Sequence, residues 1–348
     1  MSCVGSHDWL FTGIAAGDLA AGDPRAGGEP VEVGGVIGLA LLSFAVALAG
    51  APGLIAALRR LKFGKQIRRE GPSSHQVKAG TPTMGGVLFI TTAVVLTLAL
   101  APDRQAAAPP IIAALLFGGA GALDDLANMK SVEGIGFRVR HKFLWHGAMA
   151  LILAAWLYQT PTLRVQRLPA GLTLDLGWFF IPLAALAIFS CAAGVNEIDG
   201  LDGLAGGTAL AAFAAYAVLA LAGGQAATAA FCAALAGGLL AFLWHNVYPA
   251  RVFMGDAGAL ALGASLAVVA LQTRWALLLP VIGILYVAEL ISVILQVGYF
   301  KLTGGRRLFR MAPLHHHFEL AGWPEPGIVF RFWIAGAVAA ACGLALGL

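Results

Sequence analysis

The sequence predicts an all-α polytopic membrane protein with about ten transmembrane helices. Hydrophobic residues make up 59% of the 348 residues and charged residues only 11%, whereas a soluble protein carries roughly 25% charged residues. The mean hydropathy is +0.83, and the charges are concentrated in short segments between long apolar runs. A bilayer core of about 30 Å needs about 20 apolar residues per helix, so each long run is a candidate span.

The ten predicted spans lie near residues 34–58, 84–101, 108–124, 142–159, 178–195, 204–222, 226–245, 257–273, 275–300 and 328–347. We expect residues 33–348 to form one integral-membrane domain. Residues 1–32 are predicted to be a Gly/Ala-rich extension, since they lack the basic start and apolar core of a signal peptide.

The distribution of basic residues predicts the orientation. Ten spans place both termini on one side, and the loops after spans 1, 3, 5, 7 and 9, with the adjoining helix ends, hold 17 of the 22 lysines and arginines. The positive-inside rule therefore predicts that these loops are cytoplasmic and that both termini lie outside. The five basic residues on the other face are Arg25, Arg104, Arg164, Arg167 and Arg274.

Six acidic residues fall on the predicted cytoplasmic loops or helix ends: Asp124, Asp125, Glu197, Asp199, Asp202 and Asp256. A transport path would place ionisable groups near the membrane midplane, where only Glu289 is a clear candidate. This distribution favours an enzyme acting on a lipid head group over a transporter. Glu289 is expected to face the bundle interior or a helix break, and both structural pairing and catalytic support are open roles for it.

The first polar segment, GPSSHQVKAGTPTMGG at residues 71–86, leads into span 2. Lys78, Thr83 and the amides around the glycines are suited to bind phosphate at a helix N-terminus. At the end of span 3, Asp124 and Asp125 stand where the helix dipole disfavours carboxylates, so we expect a cation or proton donor beside them. Adjacent helical side chains point about 100° apart, which predicts different tasks for the two acids.

The loop between spans 5 and 6, residues 194–207, carries Asn196, Glu197, Asp199 and Asp202. A helix N-cap explains one aspartate but not the whole group, and the glycines between them allow close approach to a ligand. This combination predicts a binding loop.

Asp256 precedes span 8 and has two compatible roles, as the N-cap of that helix or as a ligand of Mg²⁺, which prefers carboxylate and phosphate oxygens. Phe253, by itself, is an ordinary interfacial aromatic residue. Together, the carboxylates, lysine, glycine turns and histidines predict Mg²⁺-assisted phosphoryl transfer at the membrane surface.

Three adjacent histidines occur in PLHHHFEL at residues 313–320, on the last predicted cytoplasmic loop. Consecutive side chains diverge on a helix, and only alternate ones share a face of an extended segment, so a three-histidine zinc site is not expected. At most two of them are predicted to touch substrate as phosphate or nucleotide donors, while the third orients the loop.

These motifs, with DGLDGLAGG, FMGDAGALALG and PLHHHFELAGWPEPGIVFRFWI, resemble in order and spacing those of the phospho-N-acetylmuramoyl-pentapeptide-transferase (MraY) family. The resemblance runs from about residue 34 to the C-terminus. It implies ten helices, usually as a homodimer, in the bacterial cytoplasmic (inner) membrane. It also implies transfer of phospho-MurNAc-pentapeptide from UDP to undecaprenyl phosphate with Mg²⁺, which yields lipid I and UMP, and no nucleic-acid partner.

The resemblance also implies site residues. Asp256 would be the Mg²⁺ ligand, and Asp124 and Asp125 would serve the polyprenyl phosphate, one of them as base or as nucleophile. His315 would be catalytic, His316 and His317 would bind substrate, and Phe253 would stack on uracil. The implied nucleotide and phosphate site comprises Lys78, Thr83, Asn196, Asp199, Gly200, Asp202, Asn246 and Gln296.

Three positions depart from the family pattern. Asn128 stands where a lysine commonly follows the aspartate pair, and Lys130, Arg138 or Arg140 are candidate replacements for that charge. Glu197 adds a negative charge, and Ala259 replaces an expected serine.

Two alternative functions stay open at this level. A sister enzyme that moves an N-acetylhexosamine-1-phosphate onto a polyprenyl phosphate would share the acidic motifs, although the histidine run favours the muramyl-peptide enzyme. An ion-coupled transporter or flippase would use Glu289 as a relay.

Overall fold

The computed structural model describes residues 33–61, 63, 80–130 and 138–348. The helices in these residues are α1 (Val33–Arg60), α2 (Gly86–Leu100), α3 (Arg104–Lys130), α4 (Val139–Leu157), α5 (Phe180–Ile198), α6 (Leu204–Ala222), α7 (Ala226–Asn246), α8 (Gly255–Gln272), α9 (Leu279–Ile282), α10 (Ile284–Leu302), α11 (Leu314–Leu320) and α12 (Glu325–Gly347). Residues 1–32, and the prediction made for them, lie outside the described part of the chain.

The predicted class, a helical polytopic membrane protein, is confirmed. Each of the ten predicted spans contains a helix, and eight of these helices are long and apolar enough to cross a membrane. The other two are α2, which has 15 residues, and α4, which carries Arg140 and Lys142 in its first turn. The orientation of the termini and of the site stays a prediction.

One predicted span is interrupted. Residues 275–300 were expected to form a continuous helix, but the structure has a 3₁₀ turn at Ala276–Leu278, the short helix α9, a break at Gly283 and then α10. Pro280 has no backbone N–H to donate to the preceding turn, and Gly283 has a non-helical ψ of 26°. The prediction of one unbroken helix was therefore wrong, whereas Glu289 does face the bundle interior.

Helix α8 lies at the centre of the bundle. Almost all of its residues are buried, and it packs against α3 and α5 and more sparingly against α2 and α6. Small residues allow this packing, because a Cβ added at Gly263 would overlap the backbone of Cys191 on α5. Helix α8 therefore fixes the relative positions of the helix ends around it.

The loop between α4 and α5 departs from the all-α prediction. It forms an antiparallel hairpin of β1 (Val165–Arg167) and β2 (Thr173–Asp175), in which Arg167 pairs with Thr173. Buried Gln166 donates from its side chain to the Leu271 carbonyl, and its Oε1 accepts from the Ala276 amide. The hairpin is thus tied to the C-terminal end of α8.

Candidate active site

Three helix ends meet at the opposite end of α8. The C-terminal part of α3 supplies Asp124 and Asp125, the last turn of α5 supplies Asn196, and the first turn of α8 supplies Asp256. Nδ2 of Asn196 donates to Oδ1 of Asp256 over 3.1 Å. Both aspartates of the α3 pair are at least 93% buried, so these carboxylates form one sheltered cluster and are not a solvated helix end.

Lys142 supplies the positive charge of this cluster. Its Nζ atom, in the first turn of α4, lies 2.5 Å from Oδ2 of Asp124 and 3.2 Å from Oδ2 of Asp256. The expectation of a cation beside the aspartate pair is confirmed. The residue itself was missed, since Arg138 and Arg140, proposed as replacements, are exposed. The signal available in the sequence was a lysine one helical turn beyond Arg138 at the start of a span.

Asp125 performs a different task from Asp124, as predicted for neighbouring helical residues. Its Oδ1 accepts the backbone N–H of Asp256 and its Oδ2 accepts that of Ala257. It therefore satisfies two amides in the first turn of α8, where a negative charge is favoured by the helix dipole. The N-cap role considered for Asp256 was wrong, because Met254 occupies the N-cap position and Asp256 lies inside the helix.

The segment before α2 runs along the same site. The amide of Phe253 donates to the Pro82 carbonyl, and the amide of Gly85 donates to the Phe253 carbonyl, each over 2.8 Å. Thr83 is buried, and its Oγ1 faces Gly255, a residue with φ of +76° beside Asp125. Phe253 itself is half-buried. Lys78 lies outside the described residues.

Asp202 and Asn246 brace two loops of the site. Oδ2 of Asp202 accepts the Ala250 amide, and Oδ1 of Asn246 accepts the Gly203 amide. Nδ2 of Asn246 donates to the Val252 carbonyl. These bonds fix the loop after α5 against the loop before α8. Asp199 occupies the C-cap of α5 and is half-buried.

The three histidines occupy α11 and point to different partners, as expected for a helix. The His315 ring is fully buried against Gly200, where an added Cβ would overlap it. Nδ1 of His316 lies 2.6 Å from Oε2 of Glu319. Nδ1 of His317 accepts the Arg310 amide over 3.1 Å.

Glu289 holds the start of α11. Its carboxylate accepts the amides of Leu314 and His315 over 2.6 and 3.2 Å. Nδ1 of His315 lies 3.2 Å from Oε1, close enough for an ion pair when the imidazole is protonated but outside hydrogen-bond geometry. Of the two roles left open for Glu289, these contacts supply the structural pairing.

Gln296 lies about two turns further along α10 than Glu289. Its Oε1 accepts the amides of Leu308 and Phe309, and its Nε2 donates to the Phe309 carbonyl. The loop that leads into the histidine helix is thus anchored to α10. The predicted residues fall into a carboxylate cluster and a set that braces the surrounding loops.

Comparison with known proteins decides the family. Residues 78–90 match the phospho-N-acetylmuramoyl-pentapeptide-transferase signature 1, and residues 108–274 match glycosyl transferase family 4. A phospho-N-acetylmuramoyl-pentapeptide-transferase of Heliobacterium modesticaldum is 46% identical over 311 residues, which cover 88% of this chain and 96% of that protein. The chain belongs to the phospho-N-acetylmuramoyl-pentapeptide-transferase family. The resemblance seen in the motifs is thereby confirmed.

Two further members of the family are similar over most of their length. The phospho-N-acetylmuramoyl-pentapeptide-transferase of Moorella thermoacetica is 46% identical over 308 residues, with 88% of this chain and 96% of that protein covered. That of Chloroflexus aurantiacus is 44% identical over 305 residues, with 83% of each chain covered. The carboxylate cluster lies within residues 108–274, the part of the chain that matches glycosyl transferase family 4.

Proposed function

We propose that this chain transfers phospho-MurNAc-pentapeptide from UDP-MurNAc-pentapeptide to undecaprenyl phosphate, forming lipid I and releasing UMP. The observation that carries the proposal is the cluster of Asp124, Asp256 and Lys142 at the meeting point of three helix ends. Family membership gives the substrates, and the sheltered cluster supplies the charged groups that phosphoryl transfer requires.

In this reaction a phosphate oxygen of undecaprenyl phosphate attacks the phosphorus next to the sugar. A new diphosphate bond forms, and the bond to UMP breaks. The ammonium of Lys142 is placed to stabilise negative charge on the phosphate oxygens. Asp124 is the better base of the pair, because the carboxylate of Asp125 is engaged with two amides of α8.

The donor set fits a divalent cation. Mg²⁺ usually takes one or two carboxylates together with substrate phosphates, and Asp256 and Asp124 already converge on one cation, Lys142. Among the described residues, no group of three His, Cys, Asp or Glu side chains forms a complete metal cage. Asp256 would hold the ion, with Asp124 beside it, and Mg²⁺ when bound would neutralise charge on the diphosphate.

The remaining site residues are proposed to bind substrate. Phe253 would stack on uracil, and His316 and His317 would donate to phosphate or nucleotide, while buried His315 would position that helix against Gly200. We propose the enzyme to be a homodimer in the bacterial cytoplasmic membrane, with the site on the cytoplasmic face.

Purified protein in detergent with Mg²⁺ tests the proposal. We expect UMP and lipid I from UDP-MurNAc-pentapeptide and undecaprenyl phosphate. Turnover of UDP-GlcNAc in place of the muramyl-peptide substrate would identify the sister enzyme, and no UMP from either donor would refute both activities.

Asp256→Asn tests the metal ligand. We expect the rate of UMP release to fall by at least about 10³-fold, because a carboxylate ligand is replaced by a neutral amide. The matched control is Asp175→Asn on the distant hairpin, which should act like the unaltered protein. Retained activity in folded Asp256→Asn would remove Asp256 as the ligand.

A further inference from the structure

A second concentration of positive charge lies at the end of α8 remote from the carboxylate cluster. Arg167 closes β1, and Arg274 follows α8 in the turn that receives the hairpin. The Arg167 amide donates to the Arg274 carbonyl, and Nε of Arg274 donates to the Val165 carbonyl, each over 2.7 Å. The two side chains are therefore carried by one hydrogen-bonded unit.

Among the described residues, no carboxylate balances the charge of this pair. In the described part of the chain, neither guanidinium forms an ion pair. Asp175, the acidic residue of the hairpin, accepts the Gly177 amide. Burial, and the nearby positive charge of Arg167, lower the pKa of Arg274 from its ordinary value. Two half-buried guanidinium groups carried by one hydrogen-bonded unit favour an anion beside them.

Arg274 has a strained backbone conformation, which the surrounding fold maintains. Its φ is +65°, a left-handed conformation that residues other than glycine adopt only with strain. The guanidinium of Arg167 lies 6.0 Å above the ring of buried Trp275. Both side chains are thus positioned by the fold and do not extend freely into solvent.

Exposed apolar side chains lie on the same hairpin and on the segment that follows it. Leu172 and Trp178 are 63% and 73% exposed, and Phe179, next to Trp178, is 54% exposed. The Leu176 amide donates to the Arg164 carbonyl, which keeps this segment beside β1. Exposed aromatic and leucine side chains in a segment that also carries arginine are typical of the membrane–water interface.

We propose that Arg167 and Arg274 bind the phosphodiester of an anionic phospholipid head group, while Leu172, Trp178 and Phe179 insert into the adjoining interface. The guanidinium forks match phosphate oxygens, and the apolar residues favour a lipid over a free anion. The lipid belongs to the leaflet opposite the carboxylate cluster. It anchors the hairpin, and through Gln166 the end of α8, at the membrane surface.

Native mass spectrometry of the full chain tests this proposal. The protein in detergent is titrated with phosphatidylglycerol and, separately, with phosphatidylcholine of the same acyl chains. We expect preferential binding of phosphatidylglycerol. Arg167→Gln should weaken it about tenfold, the effect of losing one charge-assisted hydrogen bond. Arg167→Lys, which keeps the charge but loses the fork, should give an intermediate affinity.

The matched control is Arg104→Gln. Arg104 is exposed at the start of α3, at the same end of the bundle, and its removal changes the net charge equally. It should leave phosphatidylglycerol binding unchanged. Equal weakening in both variants, or equal affinity for the two lipids, would overturn the proposal.

Competition with inorganic phosphate distinguishes binding of a lipid head group from binding of a free anion. Millimolar phosphate should not displace phosphatidylglycerol, and complete displacement would identify a free-anion site and refute the lipid. UMP release by Arg167→Gln should equal that of the unaltered protein, because α8 separates the two sites by about 27 Å. The two experiments therefore test the lipid site and the proposed transferase activity independently, and either proposal can be refuted without the other.

Discussion

Lys142 is the residue on which the charge balance of the carboxylate cluster depends. It contacts Asp124 and Asp256, which come from different helices. Without it, buried Asp124 and partly exposed Asp256 would lose the cation that lies between their carboxylates, and the phosphate groups of a substrate would meet a more negative site. The bridge therefore serves both the local structure and the acceptance of an anionic substrate.

Lys142→Met should lower the rate of UMP release by about 10²–10³-fold, the usual effect of removing one donor to a developing negative charge. Arg140→Met is the matched control, since it removes an equal charge from an exposed position on the same helix. Assays of both variants with the two substrates measure the difference. Similar losses in the two would show that only the overall charge of this helix end matters.

The sequence was sufficient to predict that the carboxylates of this site lie at neighbouring helix ends, but not to predict which atoms contact one another. Asp124, Asn196 and Asp256 stand at predicted helix ends, so their convergence followed from topology. The positive-inside count included Lys142 only as one charge among many, since sequence spacing does not specify which side of a helix meets a neighbour. The engagement of Asp125 with the amides of α8 depends on a contact across 131 positions, which local pattern does not reveal.

At the scale of the helices, close packing around α8 sets the position of the cluster. A Cβ added at Gly121 on α3 would overlap the backbone of Asp256, whereas Gly119 on the same helix has open space around it. The two helices therefore approach as closely as they do only because position 121 has no side chain. This approach brings Asp125 within reach of the amides of α8.

Gly121→Ala should separate α3 from α8 and cost about 1–3 kcal/mol of stability, the range for overpacking a close contact. It should also lower UMP release about 10²-fold, because small displacements of catalytic groups have effects of this size. Gly119→Ala should leave both properties unchanged. Thermal unfolding in detergent and the UMP assay measure them, and equal behaviour of the two variants would refute the contribution of this contact.

The break at Gly283 shows what hydropathy alone does not detect. Residues 275–300 are apolar throughout the break, so length and composition predicted one helix. Pro280 and Gly283 were the local signals of an interruption. The same reasoning explains the hairpin, whose short strands of three residues lie below the length at which alternation is recognisable.

In the molecule as a whole, α8 joins two charged sites of different character. Its first turn belongs to the carboxylate cluster, and its last turn is bonded to the hairpin that carries Arg167. A transferase that binds a soluble nucleotide sugar and a lipid needs the first site at the water-facing end of the bundle on the side where that sugar is made. The predicted orientation places it on the cytoplasmic face, and the hairpin on the other.

Cysteine labelling tests this orientation. Thr173→Cys on β2 and Arg307→Cys after α10 place exposed thiols at the two ends of the bundle. Both are made in a background in which Cys3 and Cys342 are replaced by alanine, because the remaining Cys191 and Cys232 are buried. In sealed right-side-out vesicles, a membrane-impermeant maleimide should label Thr173→Cys at once and Arg307→Cys only after detergent is added.

The reverse labelling pattern would place the carboxylate cluster outside the cell, where the positive-inside rule disfavours the basic segment at Lys301–Arg310. It would also separate the site from a cytoplasmic nucleotide sugar, so the proposed function would fail with the orientation. Labelling of both variants before detergent would show leaky vesicles, which an impermeant reagent and a cytoplasmic marker enzyme detect in the same sample. The expected pattern therefore links the charge distribution of the sequence to the side on which the chemistry takes place.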